Sequence, residues 1–209
     1  MAAVVLTAGC AGSCRTAAVD QSAPIVQPGA PGESSRVVDA AKAADLSAVQ
    51  FTPADVLFMQ GMIGHHEQAV EMVALVPSRT ASEGVRKLAL RIDVSQADEI
   101  RMMQDWLRAR GQAVPSEHAM HMHGATLMPG MLTPDEMDRL AASRGVEFDR
   151  LFLEGMIKHH AGALTMVQEL FATPGAGQDS EMFAFASDVE ADQRMEIDRM
   201  SAMLEELRK

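Results

Sequence analysis

One stretch of this 209-residue chain occurs twice, and that repeat limits its folds more than any other feature. Residues 55–73 align without a gap to residues 149–167. The shared positions are Asp55/Asp149, Leu57/Leu151, Phe58/Phe152, Gly61/Gly155, Met62/Met156, Ile63/Ile157, His65/His159, His66/His160, Ala69/Ala163, Met72/Met166 and Val73/Val167. A second similar pair follows each copy, with Gln96/Gln193, Glu99/Glu196, Ile100/Ile197, Met103/Met200 and Leu107/Leu204 in common. The repeating unit is therefore two segments long, and a unit that cannot cover its own apolar face must bury it against the other copy.

All four segments read as helices. Phe58, Met62, His65, Ala69 and Met72 recur at alternating steps of four and three, the spacing of one helical face, and Met59, Ile63, His66, Val70 and Val73 form an adjoining stripe. Thr52-Pro53-Ala54-Asp55 is a start signal, with Thr as N-cap and Pro in the first turn, and Pro77 is expected to stop the helix. The second segment is expected to run from about Ser82 to Gly111. A short helix should start at Thr133 and end at Gly145, the next should span about Glu147 to Phe171, and the last should run from about Ser180 to the C-terminus. No strand pattern competes. Two related hairpins of long helices predict an all-α fold, a four-helix bundle over residues 51–209 with the short helix in the crossover.

The faces that should meet in the core carry polar groups. Gln96 and Glu99 share a face with Val85, Ala89, Ile92, Met103 and Trp106; Gln193 and Glu196 share one with Met182, Phe185, Val189, Met200 and Met203. A buried imidazole or carboxylate without a partner costs several kcal/mol, of order 2–7 in typical cases. The expectation is that they meet, His65 and His66 facing Gln96 and Glu99, and His159 and His160 facing Gln193 and Glu196. Three readings are open. A buried His–Glu network can fix helix register. The groups can bind metal: imidazole with the thioethers of Met62, Met72, Met156 and Met166 suits Cu(I), and imidazole with Glu99 and Glu196 suits Cu(II) or Zn(II). A ferritin-like di-metal oxidase would need Glu-x-x-His, which does not occur, and Glu67 and Glu71 have Ala161 and Thr165 as counterparts. Protons compete with metal for imidazole, so copper affinity should weaken below roughly pH 6.

Between the copies, His118, Met120, His121, Met122 and His123 precede Met128-Pro129-Gly130-Met131, an outlier in a chain with 17 Met and 7 His in all. His-rich tracts often bind metal, so these five residues are further candidates, whereas Met128 and Met131 read as packing residues. The formal charge of −11 argues against nucleic acid and anionic membrane surfaces and suits cations. At the N-terminus, a short apolar stretch ends at Cys10 like a bacterial lipoprotein signal, with Cys10 as the lipidated residue and the true start expected upstream of Met1. Residues 15–50 have the Ala/Ser/Pro/Gly composition of a flexible tether. Both Cys residues, Cys10 and Cys14, lie in this leader, so no Cys-based site is expected in the body. No Ser-His-Asp order or phosphate loop stands out, and no catalysis is expected.

The motif Phe-x-x-x-Met-Ile-x-His-His-x-x-Ala-x-x-Met, present twice and each time followed by Gln-x-x-Glu-Ile-x-x-Met, resembles a bacterial family known as domain of unknown function 305. The resemblance covers about residues 50–208. It implies a fold similar to ferritin-like bundles, a secreted or envelope protein, often a lipoprotein, and copper binding tied to copper resistance in some members. By position, the implied ligands are His65, His66, His159 and His160, with Met62, Met72, Met156 and Met166. The implied partners are the ion itself, a metal-delivery protein or a second copy of the chain, with the membrane reached only through a lipid anchor.

Overall fold

A computed structural model of the protein describes residues 24–27, 34–39, 50–116 and 127–208. Cys10 and the candidates His118, Met120, His121, Met122 and His123 lie outside the described residues. The chain divides into two compact units, residues 1–48 and 49–209. In the first, against the expectation that no strand competes, β1 (Ile25–Gln27) pairs antiparallel with β2 (Arg36–Val38), Ile25 opposite Val38. The β-branched residues Ile25, Val26, Val37 and Val38 have the strand preference that the Pro/Gly count of the segment concealed.

The second unit is all-α: α1 (Pro53–Arg79), α2 (Glu83–Ala109), α3 (Pro134–Ala142), α4 (Gly145–Ala172) and α5 (Ser180–Leu207). Helix α1 begins as its sequence dictates. The Thr52 hydroxyl accepts from the Asp55 N–H, the Asp55 carboxylate accepts from the Thr52 N–H at 2.6 Å, and Pro53 fills a first-turn position that needs no donor. Thr133 and Glu136 build the same box for α3, while Ser82 and Asp179 cap α2 and α5. Two expected boundaries move. Pro77 lies inside α1, which continues to Arg79 and closes when the Thr80 N–H bonds to the Val76 carbonyl. Helix α3 ends at Ala142, and Gly145, at φ +59°, opens α4 instead of ending α3.

α1 packs on α2 and α4 on α5 to form the two hairpins, α1 against α4 joins them, and α2 and α5 approach each other far less closely. The core falls into two apolar clusters. One holds Phe58, Met62, Ile63, Met103, Trp106, Met166 and Phe185; the other holds Met72, Val76, Leu88, Ile92, Phe148, Phe152, Met156 and Met200. Each large side chain buried there contributes about 1.5–3 kcal/mol.

The crossover segment 127–132 is pressed onto the α1–α4 seam. A Cβ on Gly162 would stand 1.9 Å from the Pro129 carbonyl oxygen, and one on Gly130, itself at φ +76°, would stand 2.5 Å from the Lys158 carbonyl. On the α1 side Gln68 holds the same segment by its backbone, donating Nε2–H to the Leu132 carbonyl at 2.9 Å and accepting the Leu132 N–H at 2.7 Å. Because the obstacle at Gly162 is rigid backbone, Gly162→Ala should lower unfolding free energy by about 2 kcal/mol or more. Gly61→Ala, which meets only methionine tips, should fall within about 1 kcal/mol of wild type once the helix preference of Ala is counted. Urea unfolding of both variants checks this; equal losses would mean that the crossover is not held as described.

Candidate metal centre

The polar residues meet in one layer. His65/His66, Gln96/Glu99, His159/His160 and Gln193/Glu196 stand near the midpoints of α1, α2, α4 and α5, and all eight are buried. The layer divides the two apolar clusters, with Met62 and Met166 in one and Met72 and Met156 in the other. The repeat thus brings four thioethers to the borders of four imidazoles.

The expected pairing holds for one member of each doublet. His66 Nε2 lies 2.5 Å from Glu99 Oε2, and His160 Nε2 lies 2.7 Å from Glu196 Oε2. The other members turn elsewhere. His65 Nε2 donates to the Pro129 carbonyl at 3.0 Å, and His159 Nε2 donates to the His65 carbonyl at 2.8 Å. The physical reason is helical geometry: adjacent residues project about 100° apart, so one imidazole of each doublet reaches the hairpin partner and the other reaches the α1–α4 seam. The rings of His65 and His159 come together there, centroids 3.8 Å apart. Neither Gln answers the imidazoles: both polar atoms of the Gln96 amide, and the Gln193 Oε1, are buried without a hydrogen-bond partner.

These contacts fix the tautomers. A carbonyl oxygen or an ionised carboxylate only accepts, so each of the four Nε2 atoms carries its proton and donates it. The four Nδ1 atoms are buried and have no partner. In a neutral imidazole of this tautomer Nδ1 is a lone pair. Burial is the first cause that keeps His65 neutral, with His66 adding to it, and together they bring its pKa down to about 3. Burial, followed by His65 and His160, likewise holds His159 well below the ordinary value. Protons therefore compete poorly at these two rings.

Between α2 and α5, Asp98, Glu99, Asp188 and Asp192 face a groove of about 340 Å³. Burial first, then the charges of Glu99, Glu196 and Asp188, raises the Asp192 carboxyl above its usual range. The field at this seam favours cations. Among the described residues, no three His, Cys, Asp or Glu side chains converge on a point that could hold a metal ion. A site in the layer must draw on other donors.

Sequence reasoning passed over Gln68, Pro129 and Gly162, the residues that carry the crossover. It also placed Asp55 only at the start of α1. Asp55 Oδ1 in fact accepts the Gly177 N–H at 2.7 Å, tying the start of α1 to the α4–α5 turn, whereas the counterpart Oδ1 of buried Asp149 has no partner.

A profile of the family described as domain of unknown function (DUF305) matches residues 55–204. The chain belongs to the DUF305 family. It resembles a DUF305 fragment from Deinococcus radiodurans at 33% identity and a TM-score of 0.63, over 75% of this chain and 98% of that one. A DUF305 protein from Streptomyces coelicolor, assigned as secreted, is 34% identical with a TM-score of 0.64, over 74% of this chain and 93% of that one. CopM in its Cu(I)-bound form is 28% identical with a TM-score of 0.57, over 75% and 98% of the two chains. CopM has also been solved bound to Cu(II) and to Ag. No curated protein matches the sequence. In this DUF305 domain, all-α as expected, no helix among the described residues is long and apolar enough to cross a membrane.

A pH dependence follows from His65 and His159. Their folded pKa values lie below the unfolded value near 6.5, so the stability they confer is complete above pH 6.5 and is lost as pH falls towards the folded values. The titratable groups facing them are His66 and His160. Unfolding takes up one proton at His65 over this window, so metal-free protein should lose about 1.4 kcal/mol per pH unit there between roughly pH 6 and 4, with His159 adding a loss in the same direction. Denaturant titrations at pH 7.5, 6 and 5 test it; stability unchanged from 7.5 to 5 would contradict the assignment.

Proposed function

We propose that this protein binds copper in the buried layer, as Cu(I), and serves in sequestration or transfer outside the cytoplasm. The observation that carries this reading is the common posture of the four imidazoles. Each gives Nε2–H to a carboxylate or backbone carbonyl and keeps Nδ1 unsatisfied, which is how a metal-bound histidine is oriented by its surroundings. A buried acceptor left unmade costs about 1–3 kcal/mol, and the neutral rings of His65 and His159 each keep one at this level. An ion accepting those lone pairs would relieve that cost.

The donor set speaks for the soft ion. Among the described residues, His, Cys, Asp and Glu do not assemble a three-ligand site, so thioethers from Met62, Met72, Met156 and Met166 would complete the coordination, and imidazole with thioether suits Cu(I). CopM, solved with Cu(I), Cu(II) and Ag, supports copper as the ion, and the secreted relative supports an extracytoplasmic place, for which we assign Cys10 as a lipid anchor. Holding and releasing an ion needs no nucleophile, so we assign no catalysis. A metal-free structural bundle is the second reading, favoured by the fact that every imidazole already has one protein partner.

Titration with Cu(I) against a competing chelator should give binding tighter than micromolar. The paired change Glu99→Gln with Glu196→Gln keeps shape but weakens the orientation of His66 and His160, and should lower affinity about 10- to 100-fold. Copper should also raise the melting temperature, since free ion at a hundredfold excess over Kd adds about 2.7 kcal/mol. A melting temperature indifferent to copper, with no chelator competition, would leave the structural bundle as the function.

A further inference from the structure

We propose that Met128 and Met166 form a second thioether pair, in the wall of a surface groove beside the buried layer, that takes a soft monovalent ion, Cu(I) or Ag(I). This rests on the copper reading, shares Met166 with it, and gives Met128, which packs against the apolar cluster as the sequence reading expected, a binding role as well. The groove, about 290 Å³, runs between α1 and α4 and is lined by Leu57, Phe58, Gly61, Met128, Pro129 and Met166, with Glu169 on its rim. The Met128 Sδ and the Met166 Cε both rest where a side chain of Gly61 would have been, 3.3 and 3.6 Å from that point. The gap left by glycine thus gathers two sulfur-bearing side chains from different segments onto one surface.

Comparison of the two repeats sets this apart from plain packing. The crossover gives one side chain to each helix-interior glycine: Met128 to Gly61 and Leu132 to Gly155. Beside Gly155 the methionine is Met72, fully buried, and its companion from the crossover is the isobutyl group of Leu132, also buried. Beside Gly61 both companions are thioethers, and Met128 is only partly buried. Packing alone is met by Leu at one site; the other places two thioether side chains in the wall of an open groove. A thioether pair with no charged donor suits a soft monovalent cation over Zn(II) or Ca(II). The groove also touches the layer directly, because Pro129, in its wall, accepts the Nε2–H of His65. Met166 in turn belongs to the same apolar cluster as Met62.

The test uses full-length protein labelled with 13C at the methionine ε-methyl groups and titrated with Ag(I), a redox-stable probe for Cu(I). Signals are assigned by their loss in Met128→Leu, Met166→Leu, Met62→Leu and Met156→Leu. We expect the Met128 and Met166 methyls to shift together and saturate together. Met128→Leu should reduce Ag(I) affinity at Met166 at least tenfold while leaving the metal-free melting temperature unchanged, since Leu keeps a similar volume. If the Met62 and Met156 methyls respond and Met128 does not, the outer pair is wrong and the buried layer stands. If Met128 and Met166 respond alone, the outer pair stands and the buried layer fails; silence from all four overturns both.

Discussion

The structure depends on satisfying four imidazoles inside an apolar bundle. Their ring nitrogens cannot all be served by neighbours on the same helix, so each hairpin supplies a carboxylate and the α1–α4 seam supplies two carbonyls. These four hydrogen bonds connect α1 to α2, α4 to α5, α1 to α4, and α1 to the crossover. A layer of this kind fixes register, because sliding any helix by one turn would strand a buried polar group. The apolar clusters on either side contribute most of the stability, and the layer selects which packing they adopt.

The same arrangement explains why the layer has chemical capacity left over. Hydrogen bonding to Nε2 uses one nitrogen of each ring and orients the other. A protein concerned with register alone would do as well with Asn or Gln, and the layer contains Gln96 and Gln193 whose amides are themselves incompletely bonded. Polar groups held short of full satisfaction mark the functional part of an otherwise consistent fold.

Much of this was legible in the chain. The duplicated stripe predicted paired helices, and the caps at Thr52, Ser82 and Thr133 placed their starts because side-chain capping is a local event. The Glu99 and Glu196 contacts were legible too, as the acidic group on each face that, apart from one Gln, is apolar. Contacts of the crossover were not. The bond from His65 to Pro129 joins residues 64 apart through a backbone carbonyl, and a carbonyl has no signature in composition. A usable signal did exist in the repeat. Gln68 and Gly162 are matching positions that differ although both are buried, and each differs because it touches the same passing segment, one by hydrogen bonds and the other by giving way. The short β-hairpin was hidden for the opposite reason, since Pro and Gly around it outweighed four β-branched residues.

That passing segment has a consequence for the two copies of the motif. Descent from one ancestral hairpin would leave them interchangeable, but a single strap cannot lie on a two-fold axis without choosing a side. Here it latches the ring of His65 through a proline carbonyl in a turn, while His159 is anchored to the backbone of a long helix. One half is therefore held by the segment that links the repeats and the other by the repeat itself. Matching motifs thus occupy unlike settings, so one substitution made at both positions reaches different partners in each half.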